Sequence, residues 1–392
     1  MDDLQKYKKV NHDKDMAKKD KIHLLGISQE ELAQTLKELG IQNKTVGMRV
    51  KQLWSWIFTQ GKINFEEMTN LSKEFRLFLK ENYSLERPKI LAKQVSVDGT
   101  RKYLFSTTKM GEFETVFIPE DDRGTVCLSS QIGCTLNCSF CHTGTQKLVR
   151  NLEPFEIVGQ VLAVKDDLLD WSKTNKNNGK RLVSNIVIMG MGEPLYNFEN
   201  VKNGIDIIMN SGGLAISRKR ITLSTSGVIP NIHRVANEIG CLLAVSLHAT
   251  TDAVRNRLVP INKKWNIEEL MFNLKNYPKL SNSERITFEY VMLRNVNDSL
   301  EDAKRLAKLI KGIPAKINLI PFNPWPGSYF IASYPEEIEK FSTILRKAGY
   351  SSPVRKPRGQ DILAACGQLK SNSLKQKKIN PIDQTQTTQI GG

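Results

Sequence analysis

Three cysteines stand within eight residues in Cys134-Thr-Leu-Asn-Cys138-Ser-Phe-Cys141, in a loop that follows the apolar stretch Val126-Cys127-Leu128. A cubane iron–sulfur cluster has four irons and usually takes four cysteine ligands. Three closely spaced ligands leave one iron open to bind something else, which is what a cluster needs in order to do chemistry. A structural zinc site is the other reading of the same spacing, with Cys127 or His142 as its fourth ligand.

The elements that must position this loop follow from periodicity. From residue 126 onward apolar strand candidates (126–131, 185–190, 220–225, 242–248, 286–293 and 316–321) alternate with amphipathic helices around 153–170, 199–211, 231–239, 265–276 and 299–312, with a last one at 335–348. Six strand–helix pairs predict an α/β fold, an all-parallel sheet with right-handed crossovers curled into a partial (β/α)6 barrel. Chemistry in such barrels sits at the carboxyl ends of strands, and the cysteine loop follows the first strand directly. Upstream, Ser28 before Gln29-Glu30-Glu31 is a capping-box pattern, and Leu32, Leu36 and Leu39 share one helical face before Gly40. Val50, Leu53, Trp54 and Ile57 mark a second helix ended by Gly61, and Leu71, Phe75, Phe78 and Leu79 mark a third. These three predict a small helical accessory bundle over residues 23–85, with Trp54 and Trp56 as packing residues. Period-two runs at Arg101–Phe105 and Phe113–Ile118 predict a hairpin turning near Gly111, within a β-rich connector over 90–120. The barrel core is expected over 121–350, and a basic, breaker-rich C-terminal loop over 351–369. Residues 1–22 and 370–392 are polar and read as disordered tails.

Other strand ends carry polar groups. The second strand runs into Met189-Gly190-Met191-Gly192-Glu193-Pro194. Glycines there let backbone groups approach a ligand, and Glu193 can accept from an ammonium. Ser224-Thr225-Ser226-Gly227, Ser246-Leu247-His248 and Asn323 lie on the same predicted rim. Each could simply cap a helix or turn, and their convergence is what singles them out. A buried cysteine is usually a small hydrophobe, the reading applied to Cys241. Cys366 differs: it follows the loop Val354-Arg355-Lys356-Pro357-Arg358-Gly359 and sits among small residues, where a thiol could be mobile and its thiolate favoured.

A net charge of +16, from 57 Lys+Arg against 41 Asp+Glu, suits a polyanionic partner, most simply nucleic acid. Six unevenly placed cysteines are not the framework of a small secreted domain and fit a reducing compartment. Met1–Lys21 lacks the apolar core of a signal peptide, and no run of 18 apolar residues occurs. A cytoplasmic protein without a membrane partner is expected.

The cysteine spacing with Phe140 before the last thiol, and the Gly-Glu-Pro turn, resemble the signatures of radical S-adenosylmethionine (SAM) enzymes. Phe113–Glu120, Arg123–Cys141, Met189–Pro194, Ile221–Gly227, Ala244–Ala249, Asn318–Gly327 and Asp361–Leu369 together resemble the bacterial radical SAM RNA adenine-C2 methyltransferases, over about residues 24–370. The resemblance implies a 4Fe-4S cluster on Cys134, Cys138 and Cys141, and SAM bound by Gly192, Glu193, Ser224, Ser246, Leu247, His248 and Asn323. It makes Cys366 the methyl-carrying cysteine, Cys127 its disulfide partner, and Glu114 a proton acceptor, against the plain alternative of an exposed strand glutamate. Carbon 2 of adenine is electron-poor and its C–H bond is not acidic, so direct polar attack on the SAM methyl group is closed to it. The family's implied solution spends two SAM molecules per turnover, one to methylate Cys366 and one as a radical source.

The implied substrates are 23S rRNA and tRNA, helped by the N-terminal helical module. Flavodoxin or ferredoxin is the implied kind of electron donor, and a monomer is expected. Arg49, Lys51, Arg101, Lys102, Arg218, Lys219, Arg220, Arg355, Lys356 and Arg358 are the candidate phosphate contacts, and the target base must leave its stack. The alternatives are C8 methylation of the rRNA adenine and a non-catalytic RNA-binding protein with a structural metal site.

Overall fold

The capping box read at Ser28 starts the first helix: Glu31 N–H donates to Ser28 Oγ (3.1 Å) while Ser28 N–H donates to Glu31 Oε2 (2.8 Å). In the computed structural model this helix is α1 (Gln29–Glu38), followed by α2 (Asn43–Trp54) and α3 (Lys73–Asn82). Residues 21–370 are described, apart from 122, 172–180, 279 and 282. Almost all of the two expected tails therefore lies outside the described residues. The three helices share one apolar core with the rest of the chain. Trp54 is buried against Phe58 at 4.6 Å between rings, and His23 stacks on Phe155 at 3.9 Å.

Nine strands form a single sheet whose spatial order is the chain order. They are β1 (Lys89–Val95), β2 (Arg101–Ser106), β3 (Glu112–Pro119), β4 (Gly124–Cys127), β5 (Asn185–Ile188), β6 (Ile221–Thr225), β7 (Leu242–Ser246), β8 (Ile286–Met292) and β9 (Ala315–Pro321). Strands β4 to β9 are parallel. Between and after them run α4 (Pro154–Asp167), α5 (Phe198–Met209), α6 (Ile229–Arg234), α7 (Ile267–Lys275), α8 (Leu300–Leu309) and α9 (Pro335–Lys347). Every residue of β8 is buried, as an interior parallel strand covered on both faces requires. This is the expected partial barrel, its six strands all parallel, and the expected β-rich connector extends the same sheet. Strands β1 to β3 pair antiparallel and continue it beyond β4, with Val116 opposite Cys127. Left bare, the β4 edge would present unpaired backbone groups, and β3 covers it.

The first barrel strand also ends earlier than its apolar run suggested. After Cys127 the chain bends to follow the next strand's exit, Leu128 N–H donating to Val187 O (2.8 Å) and Ser130 N–H to Met191 O (2.9 Å). At the other edge, Ser351 and Val354 bridge to Lys316 and Leu319 of β9. The chain then crosses to the β1–β2 turn, where Asp361 accepts from Ser96 Oγ (2.6 Å) and Val97 N–H (3.2 Å), and Asp98 accepts from Gly359 N–H (3.1 Å). The C-terminal loop thus spans the open side of the sheet. Among the described residues no helix is long and apolar enough to cross a membrane.

Candidate active site

The carboxyl ends of the parallel strands open on a cleft. Cys134, Cys138 and Cys141 form one wall, the Gly192–Glu193 turn and the ends of β6 and β7 another, and Cys366 a third. Local geometry folds the cysteine loop tightly. Asn137 takes a left-handed φ of 55°, and Cys141 N–H donates to Cys138 O (3.2 Å). A Cβ on Gly144 would stand 2.5 Å from the Cys138 carbonyl oxygen, so only glycine closes the turn.

The donor set fits an iron–sulfur cluster. Burial pushes the Cys138 thiol well up, neighbouring Cys134 and Cys141 push it further, and Arg255 pulls it back. Three thiolates crowded in this way need positive charge beside each sulfur, which a group of several irons provides. Among the described residues no three His, Cys, Asp or Glu side chains are close enough to hold one single ion.

Gly192 has φ +96°, and a Cβ there would meet the Gln131 side chain at 2.4 Å. The turn it permits aims Glu193 into the cleft, where Leu195 N–H donates to Oε1 (3.1 Å) and Ser226 N–H to Oε2 (2.8 Å). Burial still pushes this carboxyl up to about 7, so an ammonium partner would find a group short of positive charge. His248 also has positive φ, 57°, and its Nδ1 accepts from Val291 N–H at 3.1 Å. Burial pulls it down to about 3, so the ring is neutral with its proton on Nε2, edge-on to Phe140 at 4.6 Å.

Not every candidate meets here. Ser224, Ser246, His248 and Asn323 line the cleft, whereas the Leu247 side chain is buried in the core and its N–H donates to Glu289 O (3.1 Å). The Asn323 amide is engaged by the C-terminal loop, accepting from Gln360 Nε2 (3.0 Å) and donating to Cys366 O (3.5 Å). Cys127 lies behind the lining, buried, its thiol pushed up to about 12 by burial and by Cys366. Cys366 is exposed on its loop, where the cleft wall around the sulfur pushes its thiol up and Arg355 opposes that. For Glu114 it is the plain alternative that is overturned. It is buried rather than an exposed strand glutamate, does not line the cleft, and accepts from Lys370 N–H (2.7 Å) with Lys102 Nζ at 3.4 Å.

Nor is the Cys366 loop left free. His142 N–H donates to Gly367 O (2.7 Å), Thr143 Oγ1 to Leu369 O (2.7 Å), and Gln368 Nε2 to Pro324 O (2.7 Å). The His142 ring stacks on Trp325 at 4.6 Å. Of the candidate phosphate contacts, Arg101 pairs with Asp167 (2.6 Å), Arg218 with Glu284 (2.8 Å) and Lys102 with Glu114. Arg355 turns into the cleft instead.

Residues 128–309 match the radical SAM superfamily, and residues 22–85 match the ribosomal RNA large subunit methyltransferase N-terminal domain. The dual-specificity RNA methyltransferase RlmN of Paracoccus denitrificans (strain Pd 1222) is 58% identical over 357 residues, 91% of each chain. The chain belongs to the RlmN family. The RlmN of Rhodopseudomonas palustris (strain BisB5) is 57% identical over 90% of each chain. Among solved structures, a radical SAM methyltransferase from Sphaerobacter thermophilus superposes with TM-score 0.81 at 38% identity, covering 89% of this chain and 99% of that one. A 4Fe-4S cluster and SAM are the family's cofactors, and the cleft described above has the residues to take both.

Residues that sequence reasoning missed now stand out. Arg255 is 1% exposed and donates to Leu247 O (3.0 Å), Ser226 O (2.7 Å) and Ser246 O (3.2 Å), knitting together the strand ends that carry the candidate SAM contacts. Its signal in the sequence is nil, since an arginine in the short helix Asp252–Leu258 would ordinarily face solvent. Glu289 lines the cleft from mid-β8 and was hidden in an apolar strand pattern.

Proposed function

We propose that the protein methylates carbon 2 of adenine in 23S rRNA and in tRNA, with Cys366 carrying the methyl group. The observation behind this reading is one cleft that gathers three cysteines, the Gly192–Glu193 turn and an exposed fourth cysteine from a loop more than two hundred residues away. Cys134, Cys138 and Cys141 would hold the cluster, and Glu193 the SAM ammonium, with Ser224, Ser246, His248 and Asn323 around the remainder. Such a cluster, together with SAM, supplies one-electron reduction and a methyl group.

The chain's own residues do the rest. The Cys366 sulfur accepts the methyl group, forming a C–S bond, and presents its carbon to the base. When that methyl has lost a hydrogen atom, its carbon has been joined to C2, and the adduct has given up one electron and the C2 proton, the Cys127 thiolate attacks the Cys366 sulfur. An S–S bond forms, the C–S bond breaks, and its electron pair passes to the departing carbon, which takes a proton. Both thiols lie above their ordinary values, so each step needs a base or a nearby positive charge. Glu114 and Lys102 stand at the root of this loop, where they hold Lys370 and Leu363. An external reductant, of flavodoxin or ferredoxin type, must supply an electron for cleavage and restore both thiols. A monomer in the cytoplasm suits these needs.

The test uses anaerobically reconstituted protein, a reductant, SAM and an unmodified 23S rRNA domain, read by nucleoside mass spectrometry. 2-Methyladenosine is expected; 8-methyladenosine would move the reaction to the other carbon, and neither base from rRNA or tRNA would reject the reading. Cys127→Ala is expected to accumulate a covalent protein–RNA adduct, and turnover without an adduct would remove Cys127 from the release step.

A further inference from the structure

Two charged side chains in the cleft have no task in the reaction just described. Glu289 is 5% exposed yet lines the cavity. Asn318, opposite it in register on β9, donates through Nδ2 to its Oε1 at 2.8 Å. No hydrogen bond to its Oε2 is formed among the described residues, whereas both oxygens of Glu193 are taken by backbone N–H groups. A buried carboxylate with one oxygen unspent is costly unless something arrives to use it.

Arg355 is the one cation among the described residues that line the cleft. Its N–H donates to Leu319 O (2.8 Å), so the root of the side chain is fixed beside β9. Its side chain lines the same cleft as Glu289 and Cys366. An acceptor, a donor and the methyl-carrying sulfur therefore stand within one neighbourhood.

Adenine presents matching groups in sequence along one edge: the N6 amino donor, the N1 acceptor and then C2. Guanine has an oxygen where adenine has the amine. We propose that Glu289 and Arg355 read the target adenine, the carboxylate accepting from the N6 amine and the guanidinium donating to N1, which sets C2 against Cys366. The inference rests on the methyltransferase reading above. It assigns Glu289 to the base, although the adenine of SAM carries the same amine, and the experiment separates the two.

A short rRNA hairpin is prepared with adenine, purine (no N6 amine) or 1-deazaadenine (no N1) at the target position. Binding is read by fluorescence anisotropy without SAM, and turnover by mass spectrometry on the reconstituted enzyme. Wild type is expected to lose roughly 10- to 100-fold in kcat/KM on purine, the range for a hydrogen bond to a charged partner. Glu289→Leu should lose a similar factor on adenine and no more on purine. Glu289→Gln, which keeps an acceptor and the Asn318 bond, should recover part of the discrimination. Arg355→Met should behave likewise toward 1-deazaadenine.

Cluster content and the circular dichroism spectrum confirm that each variant is folded, and SAM affinity is measured alongside. If Glu289→Leu weakens SAM binding but keeps the adenine-over-purine preference, the carboxylate serves the cofactor and the inference fails. It fails equally if wild type does not distinguish adenine from purine. A wild type that prefers adenine in binding yet makes no methylated base would reject the methyltransferase reading alone, because the binding preference reports on Glu289 without turnover.

Discussion

On the barrel side of the cleft, Glu193, Ser224, Ser246 and His248 stand at the ends of strands whose positions are set by parallel ladders and by the buried Arg255. On the opposite side Cys366 rides on a loop that leaves the β9 edge at Val354 and is held around the cysteine by individual hydrogen bonds, among them those of His142, Thr143, Asn323 and Gln368. The contrast follows from what each side must do. A cofactor floor works best when rigid, because preorganised groups lose nothing on binding. A sulfur that must meet a methyl donor, a base and then Cys127 cannot be fixed as a strand end is fixed. Individually modest bonds hold such a loop in register and still let it go.

The strongest way to separate the two sides is to remove the carrier. Cys366→Ala should abolish RNA methylation while leaving cluster absorbance and SAM affinity at wild-type values; any methylated adenine from that variant would end the carrier role. Next in size is Arg255→Met, which strands three backbone carbonyls at once. Burial lowers this guanidinium to about 10, still charged at neutral pH, and hydrogen bonds to charged groups contribute about 1.5–3 kcal/mol each without adding fully. Urea unfolding should show a loss of about 3 kcal/mol, and SAM affinity should fall with it. A variant of normal stability and normal SAM affinity would show that the strand ends hold themselves.

The barrel side was also the more legible of the two in the sequence. Cys134, Cys138 and Cys141, and Gly192 with Glu193, are local patterns: their spacing and turn geometry are complete within a few residues. Six strand–helix pairs predicted the barrel for the same reason. What could not be read depends on partners far along the chain. β1 to β3 look like a separate connector because nothing in their alternation says that Val116 lies opposite Cys127 across the sheet. Cys366 follows Arg355, Lys356 and Arg358 in sequence, but only the fold shows that Arg355 shares its cleft. That Asp167 and Glu114 lie beside Arg101 and Lys102 is likewise invisible in the sequence. Glu289 carried no signal inside an apolar strand, and Gln368 was one unremarked residue of the Asp361–Leu369 segment.

Gln368 gives the smallest and most discriminating test of the comparison. Its amide bonds twice, donating to Pro324 O (2.7 Å) and accepting from Ala365 N–H (3.0 Å), and so pins the turn that holds Cys366 to the loop after β9. Gln368→Ala removes both bonds and touches no residue of the barrel rim. Losing one or two buried hydrogen bonds costs about 1–3 kcal/mol, spent on docking the loop rather than on global stability. Hydrogen exchange at residues 360–369 should therefore quicken, while β6, β7 and the midpoint of urea unfolding stay unchanged. Methylation should slow without any change in SAM affinity, since the floor is intact and only the carrier's presentation has suffered. Exchange that quickens equally in the loop and along the rim would mean that the two sides form one cooperative unit, and the difference in how they are held would then have no consequence for how they move.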